Sequence, residues 1–195
     1  MNIFLALLST IIVFIGYTQQ LPNIIIDSSR FIGDYESEVS DVVYRFDEFI
    51  IYEDRSSWTK THFKYVIGYK KNKWFGYEFF IEYKGERYFD QSKYRIKKRR
   101  CRIKQDAIDS VLNQLNNNNF YSLNLDSLNS NEIVVNDTLT ALLVSTDGNS
   151  QIFTVSTSKR AYMIYAYMVD SYQSRQYIDD RRVFIESRKL FLSLF

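Results

Sequence analysis

The chain has 195 residues, 46% of them hydrophobic, 17% aromatic and 25% charged, with a formal net charge of +2. That balance supplies a packed core and excludes global disorder. A single cysteine, Cys101, excludes an internal disulfide framework, and a single histidine, His62, excludes a zinc site built on several His or Cys ligands.

Residues Ile3 to Ile15 are apolar apart from Ser9 and Thr10, and polar Tyr17-Thr18-Gln19-Gln20 follows. A run of this length is a secretory h-region, since a spanning helix needs about 20 apolar residues. The expectation is a signal peptide over residues 1–18 with cleavage close to Thr18, leaving residues 19–195 as one domain. Localisation is then periplasmic or extracellular. The alternatives are a retained membrane anchor over residues 3–15 and a buried N-terminal helix. No cysteine near the junction offers a lipid attachment point.

Val42 to Tyr52 alternates through Val42, Tyr44 and Phe46 into apolar Phe49-Ile50-Ile51-Tyr52 and reads as a strand. Phe63 to Tyr69 and Phe75 to Tyr83 read as the arms of an antiparallel hairpin turning at Lys71-Asn72-Lys73. Lys84-Gly85-Glu86 turns the chain again towards Arg87 to Phe89. From Ile103 the period lengthens: Ile103, Ala107, Val111 and Leu115 recur every four residues, with Ile108 and Leu112 beside them. This predicts an amphipathic helix over about 104–116, ended by four consecutive Asn residues. A polar connection with a helical turn near Asp126 to Leu128 follows.

Leu139 to Ser145 and Gln151 to Ser156 flank Asp147-Gly148, a hairpin signal. Ala161 to Val169 fits strand or helix and is taken as strand. Ile178 to Phe195 predicts a closing helix, about 178–194, with Asp179 and Asp180 at its positive end. Strands precede each helix without β-α alternation, so the fold class is α+β: antiparallel sheet with the two main helices packed on one face. A weak two-half organisation, 40–118 and 133–195, carries no residue-level repeat.

The charge distribution is uneven. Lys93, Arg95, Lys97, Lys98, Arg99, Arg100, Arg102 and Lys104 put eight cations and no acid between residues 93 and 104, so the rest of the chain carries −6. Such a stripe attracts polyanions: anionic lipid headgroups, an acidic polysaccharide or another envelope component. Export points away from intracellular nucleic acid, and a membrane enters only if the N-terminal helix is retained. The competing reading is a solvated edge strand or linker kept soluble and unpaired by its Lys and Arg.

Other signals for chemistry are sparse. No Gly-x-Ser-x-Gly, phosphate loop or cofactor fingerprint is present, so no cofactor and no metal are expected and no catalytic residue can be assigned. His62 reads as structural. Cys101 lies among cations that lower a thiol pKa where the thiol is exposed. Glu53-Asp54 and Asp179-Asp180 are adjacent pairs, and neighbours on a strand face opposite ways, so neither is an acid/base dyad by itself. Trp58, Trp74, Tyr69, Tyr77 and Tyr83 read as core, with a wet aromatic face on the first hairpin as the alternative. Asn136-Asp137-Thr138 matches a glycosylation acceptor. The resulting expectation is an exported, non-enzymatic binding or interaction module. The alternatives are a small secreted hydrolase with carboxylates assembled by folding and an envelope-anchored structural protein.

Overall fold

The computed structural model describes residues 21, 37–56, 59–84, 93–136, 139–142, 148–157 and 161–195. The expected signal segment, Trp58, the turn at Gly85-Glu86 with Arg87 to Phe89, and Asp147 of the expected hairpin lie outside them, as do Asp137 and Thr138 of the acceptor sequence. In chain order the elements are α1 (Ser40–Val43), β1 (Glu48–Ser56), β2 (Thr61–Lys70), β3 (Lys73–Tyr83), β4 (Tyr94–Cys101) and α2 (Gln105–Asn117). A 3-10 turn (Phe120–Ser122) leads into α3 (Leu125–Asn129), then β5 (Glu132–Asn136), β6 (Leu139–Leu142), β7 (Asn149–Ser156), β8 (Ala161–Tyr167), α4 (Val169–Arg175) and α5 (Asp179–Leu192).

The fold is α+β. Six strands form one antiparallel sheet in the order β4-β3-β2-β1-β7-β8, so strands from both parts of the chain share it. The β2–β3 hairpin is locally encoded: Lys70 pairs with Lys73 across Lys71 and Asn72, whose φ values of 52° and 60° suit the twist of a two-residue hairpin loop. On one face Ile50, Tyr52, Ile67, Tyr69, Trp74, Phe153 and Val155 are buried against Ile108, Leu112 and Leu115 of α2 and Val183, Phe184 and Phe191 of α5. The Phe153 ring is the hub, meeting the Phe120, Phe184 and Phe191 rings edge-on at centroid distances of 4.9, 5.6 and 5.4 Å. The aromatic residues of the first hairpin thus belong largely to the core: Tyr69, Trp74 and Tyr83 are buried and Tyr77 is half-buried.

Three expectations are corrected. Val42 to Phe46 is not strand; Ser40–Val43 is a short helix and β1 begins only at Glu48. Its apolar residues serve the second sheet face, where Val39 and Val43 cover Phe49, Ile51, Val66, Phe79 and Ile81. Gly68 makes room for the Phe46 ring, which a Cβ there would meet at 2.3 Å. Leu139–Leu142 does not pair with β7 but with β5, in a separate two-stranded sheet, while β7 sits between β1 and β8. Continuous burial from Gln151 to Val155 demands a central position with sheet on both sides, which outweighs the local Asp-Gly signal. Finally, Ala161 to Val169 is strand only to Tyr167, and Val169 opens α4.

The two sheet edges are finished differently. At β8, the Asn129 side chain donates to the Tyr165 carbonyl at 2.8 Å and accepts from the Tyr167 N–H at 2.9 Å, taking the place of a strand residue. At the other side, beyond the end of β4, Gln105 does the same for β3: it accepts from the Trp74 N–H at 2.9 Å and donates to the Trp74 carbonyl at 3.0 Å. Between that clamp and residue 94, β4 itself is the outer strand.

Candidate anion-binding site

All eight expected cations are exposed, and five of them stand on the edge strand β4. Register divides these five between the faces. Arg95, Lys97 and Arg99 lie opposite Glu82, Phe80 and Glu78 on the helix-covered side, whereas Lys98 and Arg100 lie opposite Phe79 and Tyr77 on the other. Lys93 precedes the strand, and Arg102 and Lys104 follow it. Among the described residues only Arg99 has a carboxylate partner, Glu78. Three of the others rest against aromatic rings of β3: Lys97 over Phe80 at 5.8 Å, Lys98 over Tyr77 at 5.6 Å and Arg100 over Phe75 at 5.2 Å. At exposed sites such contacts contribute about 0.5–1 kcal/mol each, so the charges remain available to an anion.

Where β4 leaves the sheet, an open cleft of about 610 Å³ forms, lined by Lys73, Trp74, Phe75, Arg100, Arg102 and Gln105 among others. Its floor depends on Gly76, because a Cβ there would meet the Ile103 Cδ1 at 2.2 Å. Ile103 is thereby allowed against β3, and the Gln105 clamp holds the start of α2 beside Trp74. Three cations and no carboxylate line this cleft. A second groove of about 340 Å³, running between α2 and the end of α5, shares Arg102 and Ile103 with it and includes Lys104.

Cys101 also lines the cleft, but half-buried rather than exposed. Burial pushes its thiol pKa up, and Arg99 offsets this only in part. Exposure, the condition for activation by neighbouring cations, is not met, because the alternation of the strand turns Cys101 to the side of Gly76, away from Arg100.

A separate polar cluster, invisible as a sequence motif, lies on the other sheet face at the far end of the β2–β3 hairpin. Lys64 is fully buried, with its Nζ 2.8 Å from Glu38 Oε2 and 3.0 Å from Glu53 Oε2. Arg55 also donates to Glu53, and the Tyr83 hydroxyl donates to Glu38. The His62 ring packs against the Tyr83 ring, and its Nε2 is 3.9 Å from Glu38 Oε1. Burial pushes the Glu38 carboxyl up, but His62, the Lys64 ammonium and the Tyr83 hydroxyl outweigh it and hold the group well below the usual carboxylate range. Burial and the Glu38 charge together push the Tyr83 phenol well above its ordinary value. Glu53 and its neighbour Asp54 face opposite ways, Asp54 accepting from Asn149 at 3.1 Å on the helix side. Folding thus brings two distant carboxylates together, with a buried cation between them.

Among the described residues no group of three or more His, Cys, Asp or Glu is arranged to hold a metal ion, and no helix is long and apolar enough to cross a membrane. The chain matches no protein-family model and no curated protein.

Proposed function

We propose that this protein is an exported, non-enzymatic binding module that holds a linear anionic polymer along β4 and seats one of its charged groups in the cleft beside Arg100 and Arg102. The observation that carries the reading is the exposure of all eight cations of residues 93–104, five of them on the edge strand β4, with a single carboxylate partner among the described residues. An otherwise negative chain with one dense positive edge orients and captures polyanions. Export rests on the apolar run Ile3 to Ile15. The hydrolase alternative is disfavoured by chemistry: of the carboxylates that folding brings near one another, Glu38 and Glu53 are both engaged by Lys64, Asp170 is engaged by Arg188 and its neighbour Asp54 by Asn149, and the cationic cleft has no carboxylate among its lining residues.

Retention on an immobilised acidic polysaccharide such as heparin tests the proposal. The protein elutes late despite its net charge of +2, and the elution point falls with salt because exposed charges are screened over about 8 Å at physiological ionic strength. The triple variant Lys97→Gln, Lys98→Gln, Arg100→Gln leaves the Arg99–Glu78 pair intact and loses most of the retention. Equal retention of variant and wild type removes β4 as the binding edge.

A further inference from the structure

Resting on that reading, we propose that the polymer is an acidic polypeptide segment, which pairs with β4 as a seventh strand of the sheet. Residues 94–101 make backbone ladder bonds to β3 on one side, and as the outer strand β4 directs the N–H and C=O groups of alternate residues outward. The opposite edge of the sheet is clamped by Asn129 at Tyr165 and Tyr167 of β8, and β3 beyond β4 is clamped by Gln105 at Trp74. The edge of β4 has no such side-chain clamp among the described residues. Lys97, Lys98 and Arg100 lean back over rings of β3, so their heads do not cover that backbone.

The arrangement of charge selects the occupant. A polymer lying on one face of the sheet meets Arg95, Lys97 and Arg99, or Lys98 and Arg100, but not both sets. An added strand meets all five, because its own side chains alternate between the same two faces, and cations on one face recur about every 6.7 Å, the same-face spacing of any strand. Directly opposed side chains have Cβ atoms about 4.5–5.5 Å apart, so acidic residues facing Lys97 to Arg100 form cross-strand pairs while a second copy of β4 is repelled. The register prescribes an antiparallel ligand of four consecutive acidic residues, then an apolar residue facing Ile96, an acidic one facing Arg95 and an aromatic one facing Tyr94.

The test uses the full chain and the fluorescent peptide Thr-Glu-Glu-Glu-Glu-Val-Glu-Tyr in two backbone N-methylated forms, one methylated at odd positions and one at even positions, with anisotropy at about 0.15 M ionic strength. A paired strand has parity: one methylated form blocks the ladder and weakens binding at least tenfold, and the other, methylated on the outward side, binds like the parent. The double variants Lys97→Gln/Arg99→Gln and Lys98→Gln/Arg100→Gln, each checked for an unchanged far-UV circular dichroism spectrum, both weaken binding. Equal binding of the two methylated forms overturns strand pairing. Retention of heparin without peptide binding overturns it too, leaving a polysaccharide ligand and the function proposed above intact, whereas loss of both removes that function as well.

Discussion

Replacing Lys64 by Met isolates the energetics of the buried ion cluster. Methionine nearly preserves volume and removes only the ammonium, which lies 2.8 and 3.0 Å from the Glu38 and Glu53 carboxylates. Removing one partner of a buried pair costs about 3–5 kcal/mol, because an uncompensated charge stays behind. Glu53 keeps Arg55 and Glu38 keeps the Tyr83 hydroxyl, so the lower end, about 3 kcal/mol at pH 7, is expected. In the wild type the Glu38 carboxyl is held below its ordinary value, so its contribution is present above the usual carboxylate range and is lost as pH falls through the depressed folded value. In the variant, His62 and the Tyr83 hydroxyl still hold the Glu38 carboxyl down, but without the Lys64 cation burial offsets more of their effect, so acidification relieves part of the penalty. Urea denaturation of both proteins at pH 7 and pH 4 should therefore show the gap narrowing by about 1 kcal/mol or more. A gap under 1 kcal/mol at pH 7 that does not change with pH would refute the reasoning, since an exposed ion pair behaves that way.

Leu112→Ala and Phe191→Ala should each cost about 2–5 kcal/mol in the same denaturation assay, because both side chains are fully buried between the helices and the sheet. Arg181→Met should destabilise by about 1–3 kcal/mol, as it strips hydrogen bonds from the Leu128, Gln176 and Ser130 carbonyls that this buried guanidinium gathers. N-terminal sequencing of the exported product should begin close to Gln19, and a soluble cytoplasmic product that retains Met1 would remove the expectation of export.

What the sequence determined by itself was whatever depends on neighbours in the chain. The four-residue spacing of Val111 and Leu115 and the apolar face of Val183, Phe184 and Phe191 encode α2 and α5, because a helix reads its own period. The β2–β3 hairpin is equally local, its two-residue loop tying Lys70 to Lys73. Cations at eight of twelve successive positions keep residues 93–104 out of any interior strand, since none could bury them, and leave an edge strand or a linker. Tertiary structure decided the rest. Val42, Tyr44 and Phe46 look like the opening of a strand, and only the second face of the sheet, which Val39 and Val43 cover, makes a helical turn of Ser40–Val43 instead. One of the two partners of β7 is β1, about a hundred residues earlier, and no nearby turn signal encodes a pairing at that separation. Lys64 is an ordinary polar position in its strand until register places it between Glu38 and Glu53. Arg181, on the first turn of α5 beside Asp179 and Asp180, looks solvated until the Leu128 and Ser130 carbonyls at the end of α3 close around it. Helix period and strand charge are properties of adjacent residues, whereas burial of a charge depends on which distant groups meet it, and that is fixed only when the sheet order is.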